Sequence, residues 1–325
     1  MKAPTITDVA KQAGVSTATV SHVINGTRFV SDDTVAKVHA AIKILDFVPN
    51  ASARSFKTGK HNLIGFIVPD ISNSYFSAII EEVESVVQKH GYNLIISNTH
   101  ETRHREIQQL RMLSSGVVDG IILASTHEAF SEVEPYIPNH FPLILLDRSL
   151  KNSTVDSLLV TDKDPIFQGV QLLACAGHRR IGFISGLQRL STTVERLNAY
   201  LDGLDHCNIP RDASIIKYAD SMAQSAYRFT QELVELGCTA IIIGNGLMTM
   251  AAINYVQHHI SQGGSSIQIL GYRYNNWDSW LPYLASIVQP ERELGCAAGE
   301  QILRRIKRPD APVQTIMFSS YLAKK

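Results

Sequence analysis

Thr17, Ala18, Ser21, His22 and Asn25 are spaced so that, on a helix, they fall along one side. That side offers small hydroxyls, a methyl, an imidazole and an amide, and no long chain that would hold a partner away. Such a face suits a floor of base edges: small residues let a helix sink into a major groove, and His22 can donate to or accept from a purine edge. Val20, Val23 and Ile24 take the opposite side and read as core. An isolated polar helix face is commonly just solvated, so the neighbouring elements have to decide.

Those elements are short and sharply bounded. Thr5 can cap a first helix, with Asp8 three residues on completing a capping-box-like pair. Ile6, Val9, Ala10 and Ala13 give it one apolar stripe. Gly14 ends it where a left-handed residue is wanted, and Ser16 caps the next helix, Thr17 to Asn25. The turn Gly14-Val15 forces a steep crossing, which is the helix-turn-helix arrangement. Gly26 closes the second helix, Ser31 caps a third, and Val35, Val38, Ile42 and Leu45 rebuild the stripe. Val48-Pro49 then breaks the pattern. Asn50 to Lys57 could make about two turns, too few to stand alone. Ala51, Ala53 and Phe56 give that segment an apolar side, Arg54 and Lys57 a basic one, and Thr58-Gly59-Lys60 reads as a linker.

The stretch TITDVAKQAGVSTATVSHVINGTRFVS resembles the DNA-binding domain of the lactose/galactose-repressor family. PNASARSFKTGKHNLIGFIVPDISNSYF resembles that family's hinge and the start of its core, and the likeness runs on, more weakly, to VQPERELG and its following helix. The resemblance implies double-stranded operator DNA as partner, with Thr17, Ala18, Ser21, His22 and Asn25 on the bases and Arg28 making a further contact from the loop. It also implies that the hinge of Arg54, Phe56 and Lys57 folds on the operator. Phe56, where relatives more often carry Leu, would wedge into the minor groove.

Composition agrees with a soluble globular protein: 325 residues, 45% hydrophobic, 18% charged and formally neutral. The neutrality hides an asymmetry. Up to residue 60 eight bases face four acids, giving +4, and the remaining 22 bases against 26 acids give −4. Positive charge therefore gathers where phosphates would be met. Cys175, Cys207, Cys238 and Cys296 show no C-x-x-C or metal-ligand spacing and read as buried free thiols of a reducing cytoplasm. No signal-peptide pattern opens the chain and no apolar run approaches the roughly 20 residues of a bilayer span. A cytoplasmic protein with no membrane partner is expected.

From Asn62 the pattern becomes alternating strands and helices. LIGFIV, NLIIS, GIILA, LILL and SLLV are continuous apolar runs, the mark of parallel strands covered on both faces, with helices near Ser74 to His90, Arg103 to Ser114 and Glu128 to Ile137. RIGFIS, IIKYA, AIIIG and IQILG form a second series, with helices near Pro165 to Ala176, Thr192 to His206, Ala223 to Leu236 and Leu247 to Ser261. The fold class is therefore α/β: an all-α helix-turn-helix head with a hinge helix, then two lobes of doubly wound parallel sheet. The resemblance makes that core periplasmic-binding-protein-like. The expected division is 1–49 for the head, 50–60 for hinge and linker, and 61–325 for the core. Within the core, about 61–161 and 290–318 form the N-lobe, and about 162–289 and 319–325 the C-lobe.

Ligands of doubly wound sheets gather at the carboxyl ends of strands, and two facing lobes turn that rim into a cleft. The segments arriving there are Asp70 to Phe76, Ala124-Ser125, Asp147-Arg148, Gly186 to Arg196, Gly244-Asn245 and Tyr272 to Trp277. By resemblance, Tyr75 and Phe76 offer aromatic faces to an effector, Arg196 anchors it and Asp147 takes part. Relatives usually carry acids where this chain has Arg273 and Gly246. Losing both, while keeping Arg148, Arg189 and Arg196, disfavours a neutral sugar and favours a carboxylate such as a sugar acid, with Asn245 helping. The alternative is that Arg273 pairs with Asp147 or another acid, leaving a neutral cleft for a neutral sugar or purine.

Enzyme readings find little support. AIIIGNGLMT nearly makes a dinucleotide fingerprint, but Thr249 replaces its last glycine. No G-x-S-x-G elbow, P-loop or H-E-x-x-H helix is present, and the adjacent His258 and His259 face different ways on a helix. A periplasmic-type binding protein would share the core but not the head. The reading is a transcription regulator, most simply a repressor, without cofactor or metal. It binds a palindromic operator as a homodimer under control of a small effector. No heptad tail follows the core, which leaves a tetramer open but without support.

Overall fold

The computed structural model describes residues 4–48, 60–274 and 285–324. The hinge residues Arg54, Phe56 and Lys57, and Trp277 of the rim, lie outside them. The chain divides into two compact units, Met1–His61 and Asn62–Lys325.

The head consists of α1 (Ile6–Ala13), α2 (Thr17–Asn25) and α3 (Asp32–Ile44). At the start of α1 the Asp8 carboxylate accepts from the Thr5 amide at 2.8 Å and the Thr5 hydroxyl at 2.7 Å. Gly14 ends α1 at φ 67°, which glycine adopts without steric penalty, and Ser16 Oγ accepts the Thr19 amide at 3.1 Å to open α2. Val9, Ala10, Val20, Val38, Ala41 and Phe47 form the core, with Ile6, Ala13, Val23, Ile24, Ile42 and Leu45 around it. Fully burying each of the larger apolar side chains contributes about 1.5–3 kcal/mol. That drive has to hold together three helices too short to be stable singly.

The core begins with β1 (Leu63–Val68), α4 (Ser74–Gln88), β2 (Asn93–Asn98), α5 (Arg103–Ser114), β3 (Gly120–Leu123), β4 (Leu143–Asp147) and β5 (Asp156–Thr161). It continues with α6 (Lys163–Cys175), β6 (Ile181–Ser185), α7 (Ser191–His206), β7 (Ile216–Tyr218), α8 (Ala223–Glu235), β8 (Ala240–Ile243), α9 (Gly246–Ser261) and β9 (Gln268–Leu270). After these come β10 (Ala285–Val288), α10 (Glu291–Lys307), β11 (Thr315–Ser319) and β12 (Tyr321–Lys324). A six-stranded parallel sheet runs β11-β5-β4-β3-β1-β2, a four-stranded parallel sheet runs β7-β6-β8-β9, and β10 pairs antiparallel with β12.

The pleat sorts the apolar runs onto two faces. Ile64, Phe66, Ile122, Ile144 and Leu146 meet α4 and α10, while Ile67, Ile121, Leu123 and Leu145 meet Leu110 and Leu113 of α5. In the second sheet, Phe183 and Ile242 pack with Val170 of α6 and Tyr200 of α7, and Ile184, Ile241 and Ile243 with Leu233 and Met248 of α8 and α9. Gly295 lets α10 close on α4: a Cβ there would stand 2.9 Å from the Ile79 carbonyl oxygen.

Two expectations need correction. The stretch Glu128 to Ile137 is not a helix but two three-residue 3₁₀ turns, Phe130–Glu132 and Glu134–Tyr136. Its start is held by other bonds: Ala129 bridges to Lys151, and the Glu132 carboxylate accepts the Glu128 and Ala129 amides at 3.0 Å. Pro135 then cannot supply an amide to a continuing helix. The cysteines are all free thiols as expected, but only Cys238 is buried; Cys207 and Cys296 are half-buried and Cys175 is exposed. Among the described residues, no helix is long and apolar enough to cross a membrane and no cluster could hold a metal ion.

Candidate functional site

On the head, Thr17, Ala18, Asn25 and Arg28 are exposed and Ser21 and His22 half-buried along the outer side of α2 and its following loop. Two of these side chains are held locally. Asn25 Nδ2 donates to the Ser21 carbonyl at 2.8 Å, and the Nδ1 of His22 lies 2.8 Å from Thr27 Oγ1. Gly26, left-handed at φ 60°, turns the chain so that Thr27 comes back beside His22. Phe29, next to Arg28, is 97% exposed.

The core holds a cleft with about 760 Å³ of atom-free space, solvent at its mouth included. Its walls come from the carboxyl ends of strands in both sheets: Pro69, Asp70 and Asn73 after β1, Glu101 after β2, Asp147-Arg148 at β4, Gly186, Leu190, Thr192, Thr193 and Arg196 after β6, Gly244 to Leu247 after β8, and Arg273-Tyr274 after β9. Tyr75 and Phe76, in the first turn of α4, sit edge to face with ring centroids 5.1 Å apart. The Tyr75 hydroxyl donates to Asp147 Oδ1 at 2.7 Å. Burial, and then Asp147, push that phenol well above the usual tyrosine range, so it stays a donor. Burial also raises the Asp147 carboxyl, against the opposing pull of Arg148 and Arg196.

The guanidinium groups are largely engaged by the protein itself. Arg148 forks onto Glu101 at 2.6 and 3.0 Å and reaches the Ser125 carbonyl at 3.2 Å. Arg196 donates to Asp162 at 2.7 Å and to the Gly244 carbonyl at 2.7 Å, and its guanidinium lies 4.7 Å from the centre of the Tyr272 ring. Burial opposes charge on both arginines, yet Glu101 and Asp162 outweigh it and hold them more firmly protonated than usual. Arg189 is not on the cavity wall. It spans from the β6 loop to the first sheet's loops, donating to the Thr126 carbonyl at 3.2 Å and the Glu101 carbonyl at 2.9 Å. Asn245 caps α9, accepting the Met248 amide at 2.7 Å, so its carbonyl oxygen already has a structural task.

Arg273 stands on the wall, with Glu291 of α10 close enough to feel its charge. Burial drives the Glu291 carboxyl up to about 7, against that pull. Gly246 also has a structural explanation: a Cβ there would lie 2.9 Å from the Tyr274 ring, which fills the space a side chain would need. Glu101 and Asp162 escaped the sequence reading. Each follows directly or within three residues of a strand end, β2 and β5 respectively, and acids at those ends were the available signal.

A helix-turn-helix head joined to a two-sheet core with a polar cleft at its strand ends defines a ligand-controlled DNA-binding regulator. Residues 5–50 match the family model "Bacterial regulatory proteins, lacI family", and residues 61–325 match "Periplasmic binding proteins and sugar binding domain of LacI family". The chain belongs to the lacI family of bacterial regulatory proteins. It is 36% identical over 324 residues to the HTH-type transcriptional repressor PurR of Edwardsiella ictaluri, covering 96% of this chain and 93% of that one. The PurR of Photorhabdus laumondii is 35% identical over the same coverage. A lac repressor dimer solved with operator and the anti-inducer ONPF superposes with a TM-score of 0.82 at 25% identity, covering 99% of this chain and 98% of that one.

Proposed function

We propose that this regulator represses transcription as a cytoplasmic homodimer whose two heads read the half-sites of a palindromic operator. Thr17, Ala18, Ser21, His22 and Asn25 face base edges, Arg28 makes a further contact from the loop, and Arg54, Phe56 and Lys57 belong to a hinge that forms on the minor groove. The effector favours one arrangement of the two sheets over the other, and its differential affinity sets the affinity for DNA.

We infer further that the effector carries a carboxylate and is the size of a sugar acid such as gluconate or a keto-deoxy sugar acid. The observation that carries this reading is the wall around Arg273. A guanidinium stands there, Gly246 supplies no acid, and burial draws both Asp147 and Glu291 toward their neutral forms. Tyr75 and Phe76 cover the remaining surface of the ligand, while Arg148 and Arg196 act from behind, through Glu101 and Asp162. The pairing of those two arginines favours a second reading, a neutral sugar or purine in a cleft without excess charge. Calorimetry on the full chain, titrated with sugar acids, their neutral parent sugars and purine bases, separates the two. The first reading expects an acid to bind and Arg273→Ala to weaken it by roughly tenfold or more. Preference for a neutral compound, unchanged in Arg273→Ala, overturns it.

A further inference from the structure

The outer side of α2 reads bases only if its side chains arrive in a defined orientation, and an imidazole on an exposed helix has two rotatable bonds. His22 does not stand free. Its Nδ1 is 2.8 Å from the hydroxyl of Thr27, five residues on, just past the left-handed Gly26 that closes the helix. Which ring nitrogen is protonated is set by what the other nitrogen bonds to, so a partner on Nδ1 governs both the plane of the ring and what Nε2 can offer. A hydroxyl is a particular kind of partner because it can donate or accept. If it donates, Nε2 carries the proton and can donate a hydrogen bond to the N7 or O6 of guanine. If it accepts, Nε2 is bare and can accept a hydrogen bond from the amino group of adenine or cytosine.

We propose that Thr27 is the positioning residue for base readout by His22: its hydroxyl fixes the imidazole and leaves Nε2 to the base. The proposal rests on the reading of α2 as the base-facing helix. Thr27 belongs to the loop, where it and its neighbour Arg28 are exposed, and its role in the proposal is to hold His22 rather than to meet a base. Asn25 is tied back to Ser21 in the same way. The face is thus braced from within, at its two most hydrogen-bonding side chains.

The test uses the full-length protein and a randomised duplex library. After selection of a preferred duplex with the wild-type chain, affinities are measured for all single-base-pair variants of that duplex and for random DNA. The chains compared are wild type, His22→Ala, Thr27→Val and Thr27→Ser. His22→Ala should flatten preference at one base pair of each half-site. Thr27→Val, which keeps the shape and loses the hydroxyl, should reduce preference at that same base pair by roughly three- to tenfold. Thr27→Ser should restore it, and affinity for random DNA should stay unchanged throughout. If His22→Ala acts but Thr27→Val leaves the profile intact, or weakens all duplexes alike with a shallower salt dependence, Thr27 is a bystander or a phosphate contact and the proposal fails. If His22→Ala flattens no position, the base-reading of α2 fails and takes the proposal with it. Imidazole nitrogen shifts of His22 in the free protein give a second readout: they should move in Thr27→Val and hold in Thr27→Ser.

Discussion

The two sites of this protein are built on opposite plans. The α2 face draws its residues from nine consecutive positions, leaves them at the surface, and braces them through partners four or five residues away. The cleft draws its residues from strand ends up to about two hundred positions apart, and most of its charges are buried and already bonded to one another. A groove of DNA brings its own charge and its own hydrogen-bonding edges, so a face proposed to meet it can remain an open set of donors and acceptors. A small molecule brings few groups, and the cleft must hold its own charges apart from water whether or not that molecule is present. Buried charges survive there only as pairs.

The contrast is broken or sharpened most strongly at Arg196. Removing its side chain strands the buried Asp162 carboxylate and frees the Gly244 carbonyl, so Arg196→Ala should destabilise the core by about 3–5 kcal/mol. Urea unfolding of the full chain measures it, and a change below about 1 kcal/mol would mean that the pair contributes far less than its burial implies. At the head the effect should lie in binding rather than stability. His22→Ala should lose about 1–3 kcal/mol on the preferred duplex and little on random DNA. An equal loss on both would reassign His22 to the phosphate backbone.

Glu291, beside Arg273, supplies a pH test. The folded chain keeps its proton up to about 7, whereas the unfolded chain releases it near the ordinary value of 4.5. Between those limits the folded state binds more protons, so this group's contribution lowers stability as pH rises from about 4.5 to about 7 and is level above. Comparing urea midpoints across that window, Glu291→Gln should remove this part of the slope; an identical slope in both chains would refute the assignment. The smallest effect belongs to the head's surface. Lys37 and Asp33 form a 2.6 Å pair with side chains 58% and 76% exposed, and Lys37→Ala should cost no more than about 0.5 kcal/mol. A loss several times larger would show that the head, too, depends on its charges.

What could be read beforehand follows the same division. The helices of the head are announced by nearby residues, because caps such as Ser16 and left-handed closers such as Gly14 and Gly26 act within four positions. Strands β1 to β9 are legible as apolar runs, because a parallel strand buried on both faces has no polar side; β10, β11 and β12 are not, and β11 and β12 carry exposed positions that interrupt any apolar run. The segment at Glu128 is not legible locally, because its outcome depends on Lys151, which bridges to Ala129 from beyond the next strand. The arginines of the cleft were recognised as rim residues, but their partners were not. Glu101 lies 47 residues from Arg148 and Asp162 lies 34 from Arg196, and no local spacing relates them. The resulting picture, a row of guanidinium groups awaiting an anion, gives way to Arg148 and Arg196 held by acids and Arg189 strutting between the loops of the two sheets.

Strands β11 and β12 are separated by one residue, Ser320, yet they serve different sheets. β11 completes the edge of the six-stranded sheet beside β5, and β12 covers β10. On the ribosome, therefore, β5 waits for its edge partner through more than 150 residues of further synthesis, and β10 for its own through about 30. Both wait on the same short segment, residues 315–324. The nascent core must pass more than half of its translation with the β5 edge open, and the β10 edge joins it only near the end, while the head, assembled from its first few dozen residues, can be finished before the core has begun.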